Sequence, residues 1–198
     1  MAIDNILSIM IWLPILSGLG LLFIDEEKYK DLMRYIALGS TLVSLMLGIN
    51  LYSAFDVATP SMQFVECITW IQSLNIDYYL GIDGISAPLI LLTVFITPFV
   101  VISSWESISY KSSQYYAAFL ILEGLMIGVF SALDAILFYV FWEAMLVPMF
   151  LIIGIWGGKR RIYATVKFFL YTFLGSVLML VSFIYLYSKT SVFSLVDF

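Results

Sequence analysis

The sequence predicts an all-α protein, a polytopic bundle of about six transmembrane helices. Of its 198 residues, 63% are hydrophobic and only 12% are charged, whereas a soluble domain has about 25% charged residues. Six apolar segments are each long enough to cross a ~30 Å hydrocarbon core as a helix. None of them alternates with period two, as the strands of a membrane barrel do. The whole chain, 1–198, is therefore interpreted as a single membrane domain.

The predicted spans follow one another along the chain with one long interruption. The first is expected to be retained, because Asp4 precedes its apolar stretch and no Lys or Arg does, unlike a cleaved signal peptide. The loop 56–84 is rich in aromatic residues and Ile, and we expect it to lie along the membrane surface. The spans are expected at about residues 6–24, 35–55, 85–105, 116–133, 135–156 and 163–187.

Local signals support the fourth and fifth spans in particular. Gly124 and Gly128 form a small-xxx-small pair in the fourth span, which is typical of closely packed membrane helices. Asp134 precedes the fifth span, where the helix dipole favours an anion, and Gly157 and Gly158 with a basic cluster follow it. A glycine cap and cations are favoured at a helix C-terminus.

The basic residues are distributed unequally between the two sides of the predicted bundle. Eight of the nine Lys and Arg lie on one side, in the loops 25–34, 106–115 and 157–161 and at Lys167. The other side has only Lys189, and its long loop carries acids alone. By the positive-inside rule the basic loops are cytoplasmic, which places both termini on the opposite face.

The chain lacks the residues from which most metal and redox sites are built. It has no histidine and a single cysteine, Cys67. Haem, iron–sulfur, copper and zinc sites draw their ligands mainly from His and Cys. We therefore expect no metal or cofactor site in this chain and no internal disulfide. We expect the lipid bilayer to surround the chain, and we expect no nucleic-acid partner.

Two acids within the predicted spans are the leading candidates for function. Glu143 lies near the middle of a run, 134–156, that carries no other charge between its ends. A charged residue there costs roughly 2.5–3.5 kcal/mol, so it usually marks an ion pathway. Glu123 is expected about 10 Å below the cytoplasmic edge and about 10 Å from Glu143 in height, as a step along a path. For both acids the alternative is a salt bridge that only fixes helix packing.

Lys167, about one turn inside the sixth span, is the third candidate. It either extends its ammonium to the cytoplasmic headgroups or serves as the charge partner of a buried glutamate. A low dielectric favours the neutral form of a carboxyl group, whereas a nearby ammonium favours the charged form. A lysine that approaches and leaves a buried glutamate would therefore release and return a proton. Proton transfer is the chemistry that these three residues predict.

Two stretches of the sequence resemble the subunit M, or chain 4, family of NADH:quinone oxidoreductase, respiratory complex I. They read LFYVFWEAMLVPMFLIIGIWGGKRRIYATVKFFLYTFLGSVLML and LGIDGISAPLILLT. The FWE-x-x-L-x-P core is shared with the related L and N subunits, with Mrp-type antiporters and with membrane-bound hydrogenases. The KFFLYT–GS segment favours the M family among them.

The resemblance implies an antiporter-like fold of about fourteen helices built from inverted repeats, of which this chain holds the N-terminal part. Glu143 corresponds to the essential carboxylate of the family, and its usual lysine partner would lie beyond Phe198. We therefore expect a truncated copy, a fragment or a gene broken by a frameshift. The implied protein pumps protons in a bacterial inner membrane beside L- and N-type subunits, while NADH, FMN, iron–sulfur clusters and quinone bind to other subunits.

Other functions stay open at this level. One is an Mrp-type Na⁺/H⁺ antiporter or a membrane-bound hydrogenase subunit. Copurifying NADH dehydrogenase activity would distinguish the complex I subunit from these two. Another is a structural membrane scaffold whose buried acids only form bridges. That hypothesis predicts that a neutral pair in place of Glu143 and its partner works normally.

Overall fold

A computed structural model describes residues 5–195, apart from the side chain of Glu27, and confirms the predicted all-α membrane bundle. Five of its helices are long and apolar enough to cross a membrane, and α1, with 16 residues, is shorter. A two-stranded hairpin separates the second helix from the third. The elements are α1 (Ile6–Leu21), α2 (Glu26–Ala54), β1 (Gln63–Ile71), β2 (Ile76–Ile82), α3 (Ser86–Ser107), α4 (Ser112–Ser131), α5 (Ala135–Trp156) and α6 (Arg161–Thr190).

The helix ends differ from the predicted ones where the chain leaves the apolar segments. α2 begins at Glu26 instead of residue 35, with a kink at Tyr29, because the basic loop before it is itself helical. Its Glu, Lys, Leu, Met and Arg residues are good helix formers. α1 ends at Leu21 instead of residue 24, since the next three residues bond in tight i−3 turns. Hydropathy marks where a helix crosses the membrane and not where it ends.

The long loop contains an antiparallel hairpin, which the sequence analysis did not predict. β1 pairs with β2 through partners such as Ile68 and Tyr78, and Asn75 closes the turn in the left-handed conformation with φ 51°. Leu80 and Ile82 of β2 are fully buried against the bundle. The backbone N–H of Leu133 donates to the Tyr79 carbonyl at 2.8 Å. The hairpin thus packs onto the end of the bundle where α4 ends and α5 begins.

Glu66 on β1 fixes the hairpin to the start of α1. Its carboxylate accepts hydrogen bonds from the backbone N–H of Leu7 at 2.8 Å, from the N–H of Ser8 at 3.2 Å and from the Ser8 hydroxyl. The first N–H groups of a helix have no partner within the helix, and the helix dipole favours an anion there. Glu66 therefore caps α1 from a distant part of the chain.

α4 lies at the centre of the bundle, in contact with α1, α2, α3 and α5. Glycines allow the close approaches: a Cβ at Gly124 would collide with the Ile11 carbonyl of α1, and one at Gly128 would stand 2.8 Å from the Phe141 ring of α5. The predicted close packing at this pair is confirmed. α6 lies at the edge, packs on α5 and leaves most of its surface exposed.

Candidate functional site

The three predicted site residues lie on three consecutive helices and differ greatly in burial. Glu123 on α4 is 2% exposed, Glu143 on α5 is half-buried, and Lys167 on α6 is exposed. In the part of the chain that the structure describes, no salt bridge involves any of them; the ion pair found there joins Arg34 and Asp31 near the start of α2. Neither glutamate has a counter-charge within residues 5–195.

Glu123 faces α2 and α3. The Ser44 hydroxyl of α2 lies beside the Glu123 carboxylate, outside hydrogen-bonding geometry. Both carboxylate oxygens are buried and make no hydrogen bond. On the α3 side, Thr93 and Thr97 line the same groove, of about 210 Å³, as Glu123. The carboxyl group therefore has hydroxyl neighbours on two helices without being bonded to any of them.

Glu143 lies on the side of α5 that points away from α4. Phe141 packs against Gly128 of α4, and two residues turn a helix by about 200°, which carries Glu143 to the far side. The Tyr139 hydroxyl, one turn earlier, lies close to both the Glu143 carboxylate and the Ser176 hydroxyl of α6. One carboxylate oxygen, Oε1, is buried without a hydrogen-bond partner. Tyr139 is thus a polar neighbour of this acid on its own helix.

The two acids face different helices, although α4 and α5 are neighbours. Glu123 lies toward α2 and α3, whereas Glu143 lies on the α6 side of α5. Between α4 and α5 the facing side chains are apolar, among them Met126, Leu146 and Met149. A proton path from one carboxyl to the other would have to pass around this apolar interface, and the predicted path through both acids stays a prediction.

Lys167 is directed away from both acids. Its ammonium lies 5.9 Å from the ring centroid of Tyr163, one turn earlier on α6, which is within range of a cation–π contact. The structure does not bring Lys167 to Glu123 or Glu143. Its service as a charge partner stays a prediction.

Several buried hydroxyls around Glu123 were missed by the sequence analysis. The side-chain oxygens of Ser40 and Ser44 on α2 and of Tyr116 on α4 are buried and have no hydrogen-bond partner. The signal that could have identified them is the four-residue spacing of the two serines, which places both on one face of α2. Among the described residues there is no group of three or more His, Cys, Asp or Glu that could hold a metal ion.

At the start of α5, Asp134 is the expected N-cap. Its carboxylate accepts from the backbone N–H groups of Ile136 at 2.8 Å and Leu137 at 3.0 Å, and the N–H of Asp77 on β2 also points to it at 3.3 Å. The start of the helix that carries Glu143 is thereby tied to the hairpin.

Two family models together match most of the chain. Residues 29–131 match the model described as NADH-ubiquinone oxidoreductase chain 4, amino terminus. Residues 132–198 match the model described as NADH:quinone oxidoreductase/Mrp antiporter, TM. The chain belongs to the NADH-ubiquinone oxidoreductase chain 4 family. The family that the KFFLYT–GS segment favours is thus confirmed.

Curated relatives agree with this chain 4 assignment. NADH-quinone oxidoreductase subunit M of Rhodobacter capsulatus is 47% identical over 98% of this chain and 39% of its own length. NADH-ubiquinone oxidoreductase chain 4 of Arabidopsis thaliana is 43% identical over 93% of this chain and 37% of its own. The chain spans about two fifths of the length of these relatives.

Solved structures show the same chain 4 fold in a wider group. A chain of respiratory complex I from Thermus thermophilus with bound NADH matches 96% of this chain with a TM-score of 0.77 at 27% identity, over 38% of its own length. A chain of the Mrp complex from Dietzia sp. matches 96% with a TM-score of 0.76 at 18% identity, over 20% of its length. At that identity the second likeness shows the fold alone.

Proposed function

We propose that this chain is the N-terminal, ion-translocating part of a proton-pumping membrane-arm subunit of NADH:quinone oxidoreductase. In this proposal Glu143 and Glu123 take up and release the transported protons, and Lys167 takes part as a cation whose distance from them changes. The chain 4 family and the subunit M relatives support this function. The observation that carries it is the presence of a buried carboxyl group, Glu123, and a half-buried one, Glu143, in apolar helices without a salt bridge within the described residues.

The position of Glu143 allows a cation to approach its carboxyl group from the α6 side. A low dielectric without a counter-charge favours the protonated form, and a cation brought close favours the carboxylate. Oxidation of NADH and reduction of quinone elsewhere in the assembly would move such a cation and so drive release of the proton. Glu143 is only half-buried on the α6 side, so its carboxyl group is not sealed within the helices that the structure describes.

The proposed setting follows from charge and family. The eight basic residues on one side favour a cytoplasmic position for those loops, and we infer an N-terminus on the non-cytoplasmic side of a bacterial inner membrane. Antiporter-like subunits of the L and N type would be its neighbours in the membrane arm. NADH, FMN, iron–sulfur clusters and quinone would bind to other subunits; with no histidine and one cysteine, this chain lacks the ligands of an iron–sulfur cluster.

A second candidate is a subunit of an Mrp-type Na⁺/H⁺ antiporter. It is favoured by the match of residues 132–198 to a model that covers both families and by the fold shared with the Mrp complex. In that case the same carboxyls would exchange protons for a second cation, without any redox partner.

Purification of the tagged protein from its own membranes in a mild detergent distinguishes the two functions. The pump proposal predicts that NADH:quinone reductase activity copurifies with the tag and that the preparation contains flavin and iron–sulfur proteins. Recovery with antiporter-like subunits alone, with no NADH oxidation, would contradict it and favour the antiporter. An untagged strain carried through the same steps is the control.

A further inference from the structure

The buried face of α2 is lined with hydroxyl groups. Ser40 is 8% exposed, and Thr41 and Ser44 are fully buried. Thr41 donates to the Leu38 carbonyl of its own helix at 2.9 Å, as serines and threonines in membrane helices commonly do. The hydroxyls of Ser40 and Ser44 make no such bond and no other hydrogen bond. These two groups are therefore available to a ligand.

The facing side of α4 presents further unpaired polar atoms. Tyr116, 1% exposed, packs against Ala37 of α2 and Val101 of α3, and its hydroxyl is buried without a partner. Glu123 follows seven residues later, about 10 Å along the helix and on the same face. Its two oxygens are likewise unpaired, and Ser44 lies beside it.

These unpaired atoms form a series along one interface, the contact of α2 with α4, with α3 alongside. Ser40 and Ser44 are about one turn apart on α2, and Tyr116 and Glu123 are about two turns apart on α4. Arg34 marks one end of the series at the side of the basic loops; its Nε is buried and unpaired, while its other guanidinium nitrogens bind Asp31 and the Trp105 carbonyl. From Arg34 to Ser44 the rise is about 15 Å, roughly half of a hydrocarbon core.

An unpaired hydroxyl or carboxyl in an apolar interior is costly. Buried water typically makes about three hydrogen bonds to such groups and so satisfies them. We propose that the interface of α2, α3 and α4 binds a file of water molecules, held by Tyr116, Ser40 and Ser44, that connects the basic-loop side of the bundle to Glu123. This file gives Glu123 a supply of protons that does not pass Glu143.

The proposed step is a proton transfer without change of oxidation state. A hydronium ion at the Arg34 end loses a proton to the next water, and each water passes one on. The last water, once protonated, gives its extra proton to a Glu123 carboxylate oxygen. One of its O–H bonds breaks as the new O–H bond forms, and a neutral water remains. The direction of use rests on the proposed function, but the existence of the file does not.

Cysteine labelling in sealed vesicles tests the file. In a Cys67→Ser background, Ser44→Cys and Ser40→Cys are each treated from the basic-loop side with Ag⁺, an ion small enough to follow a file of single waters. The thiol loses its proton to water and the thiolate binds Ag⁺, so the reaction needs water at the thiol. Val43→Cys is the matched control, because Val43 precedes Ser44 on α2 and is 43% exposed on the outer surface of the bundle.

We expect Ser44→Cys and Ser40→Cys to react about tenfold or more faster than Val43→Cys, since burial in apolar surroundings suppresses the thiolate. Equal rates at the three positions would overturn the proposal. The labelling requires no turnover of the enzyme. It can therefore show the water file to be present or absent whether or not the protein pumps protons.

A second measurement avoids introduced cysteines and follows proton exchange at Glu123. Ser44→Ala is compared with Ser131→Ala, whose equally buried hydroxyl already donates to the Ile127 carbonyl of its own helix at 2.7 Å. Hydrogen–deuterium exchange of the Glu123 carboxyl is followed by infrared spectroscopy, with Glu123→Gln identifying the band. Exchange slows by about tenfold in Ser44→Ala alone if the water file supplies the proton. An unchanged exchange rate in Ser44→Ala would contradict it.

Discussion

At the scale of single residues, the two carboxyl groups differ in their surroundings. Glu143 has the Tyr139 hydroxyl near it and one buried, unpaired oxygen. Glu123 is more deeply buried, with the unpaired Ser44 hydroxyl on its α2 side and Thr93 and Thr97, which donate to carbonyls of their own helix, on its α3 side. Hydroxyls and water can still carry a proton past a neutral side chain, whereas a carboxyl that must itself gain and lose charge cannot be replaced by an amide.

The difference predicts a milder effect for Glu123→Gln than for Glu143→Gln. Glutamine keeps the volume of the side chain and removes the titratable group, and the hydroxyls of Ser44 and Tyr116 remain. We expect reduced but measurable proton pumping in Glu123→Gln, followed as quenching of a pH-sensitive dye in membrane vesicles driven by NADH. A loss as complete as that in Glu143→Gln would contradict this ranking.

At the scale of elements, close helix contacts depend on small residues of α4. A methyl group at Gly124 would collide with the Ile11 carbonyl, whereas a Cβ at Gly39 on α2 meets nothing within 4 Å. Alanine is intrinsically better than glycine in a helix by about 1 kcal/mol, but overpacking costs about 1–3 kcal/mol. Gly124→Ala should therefore lower the thermal midpoint of the purified protein, and Gly39→Ala should leave it unchanged or raise it. Equal midpoints would show that α1 moves aside without cost.

Sequence patterns predicted the helices better than their surroundings. An uninterrupted apolar run identifies a span, and a single acid in it identifies Glu143, because both are local properties. The hairpin escaped prediction because tertiary contacts stabilise it, among them the Glu66 bonds to α1 and the Leu133 bond to Tyr79. The direction in which Glu123 faces also depends on which helices pack around α4. The sequence does not contain that information in any local form.

At the scale of the whole molecule, charge asymmetry predicts the orientation in the membrane. The basic loops lie at one end of the bundle and the hairpin, which carries Glu66, Asp77 and Cys67, at the other. Cys67 is exposed on β1, so it reports which side the hairpin occupies.

We expect a membrane-impermeant thiol reagent to label Cys67 only from the non-cytoplasmic side. Partial burial, and after it the Asp77 carboxylate, raises the pKa of the Cys67 thiol. The thiolate is the reactive form, so labelling should be slow at neutral pH and accelerate as the pH rises into the alkaline range. Inverted vesicles should be labelled only after permeabilisation, and Cys67→Ser not at all. Labelling from the side of the basic loops would contradict the predicted orientation in the membrane.

Proton pumping by Glu143→Gln, in the protein as it occurs in its own membranes, tests the central claim most directly. Glu106→Gln, which changes an exposed acid at the end of α3, is the matched control. With equal amounts of assembled protein, we expect Glu106→Gln to pump normally. Glu143→Gln should form no proton gradient on addition of NADH and should have sharply lower quinone reductase activity. Normal pumping by Glu143→Gln would show that this carboxyl only supports helix packing and would contradict its role as a proton carrier.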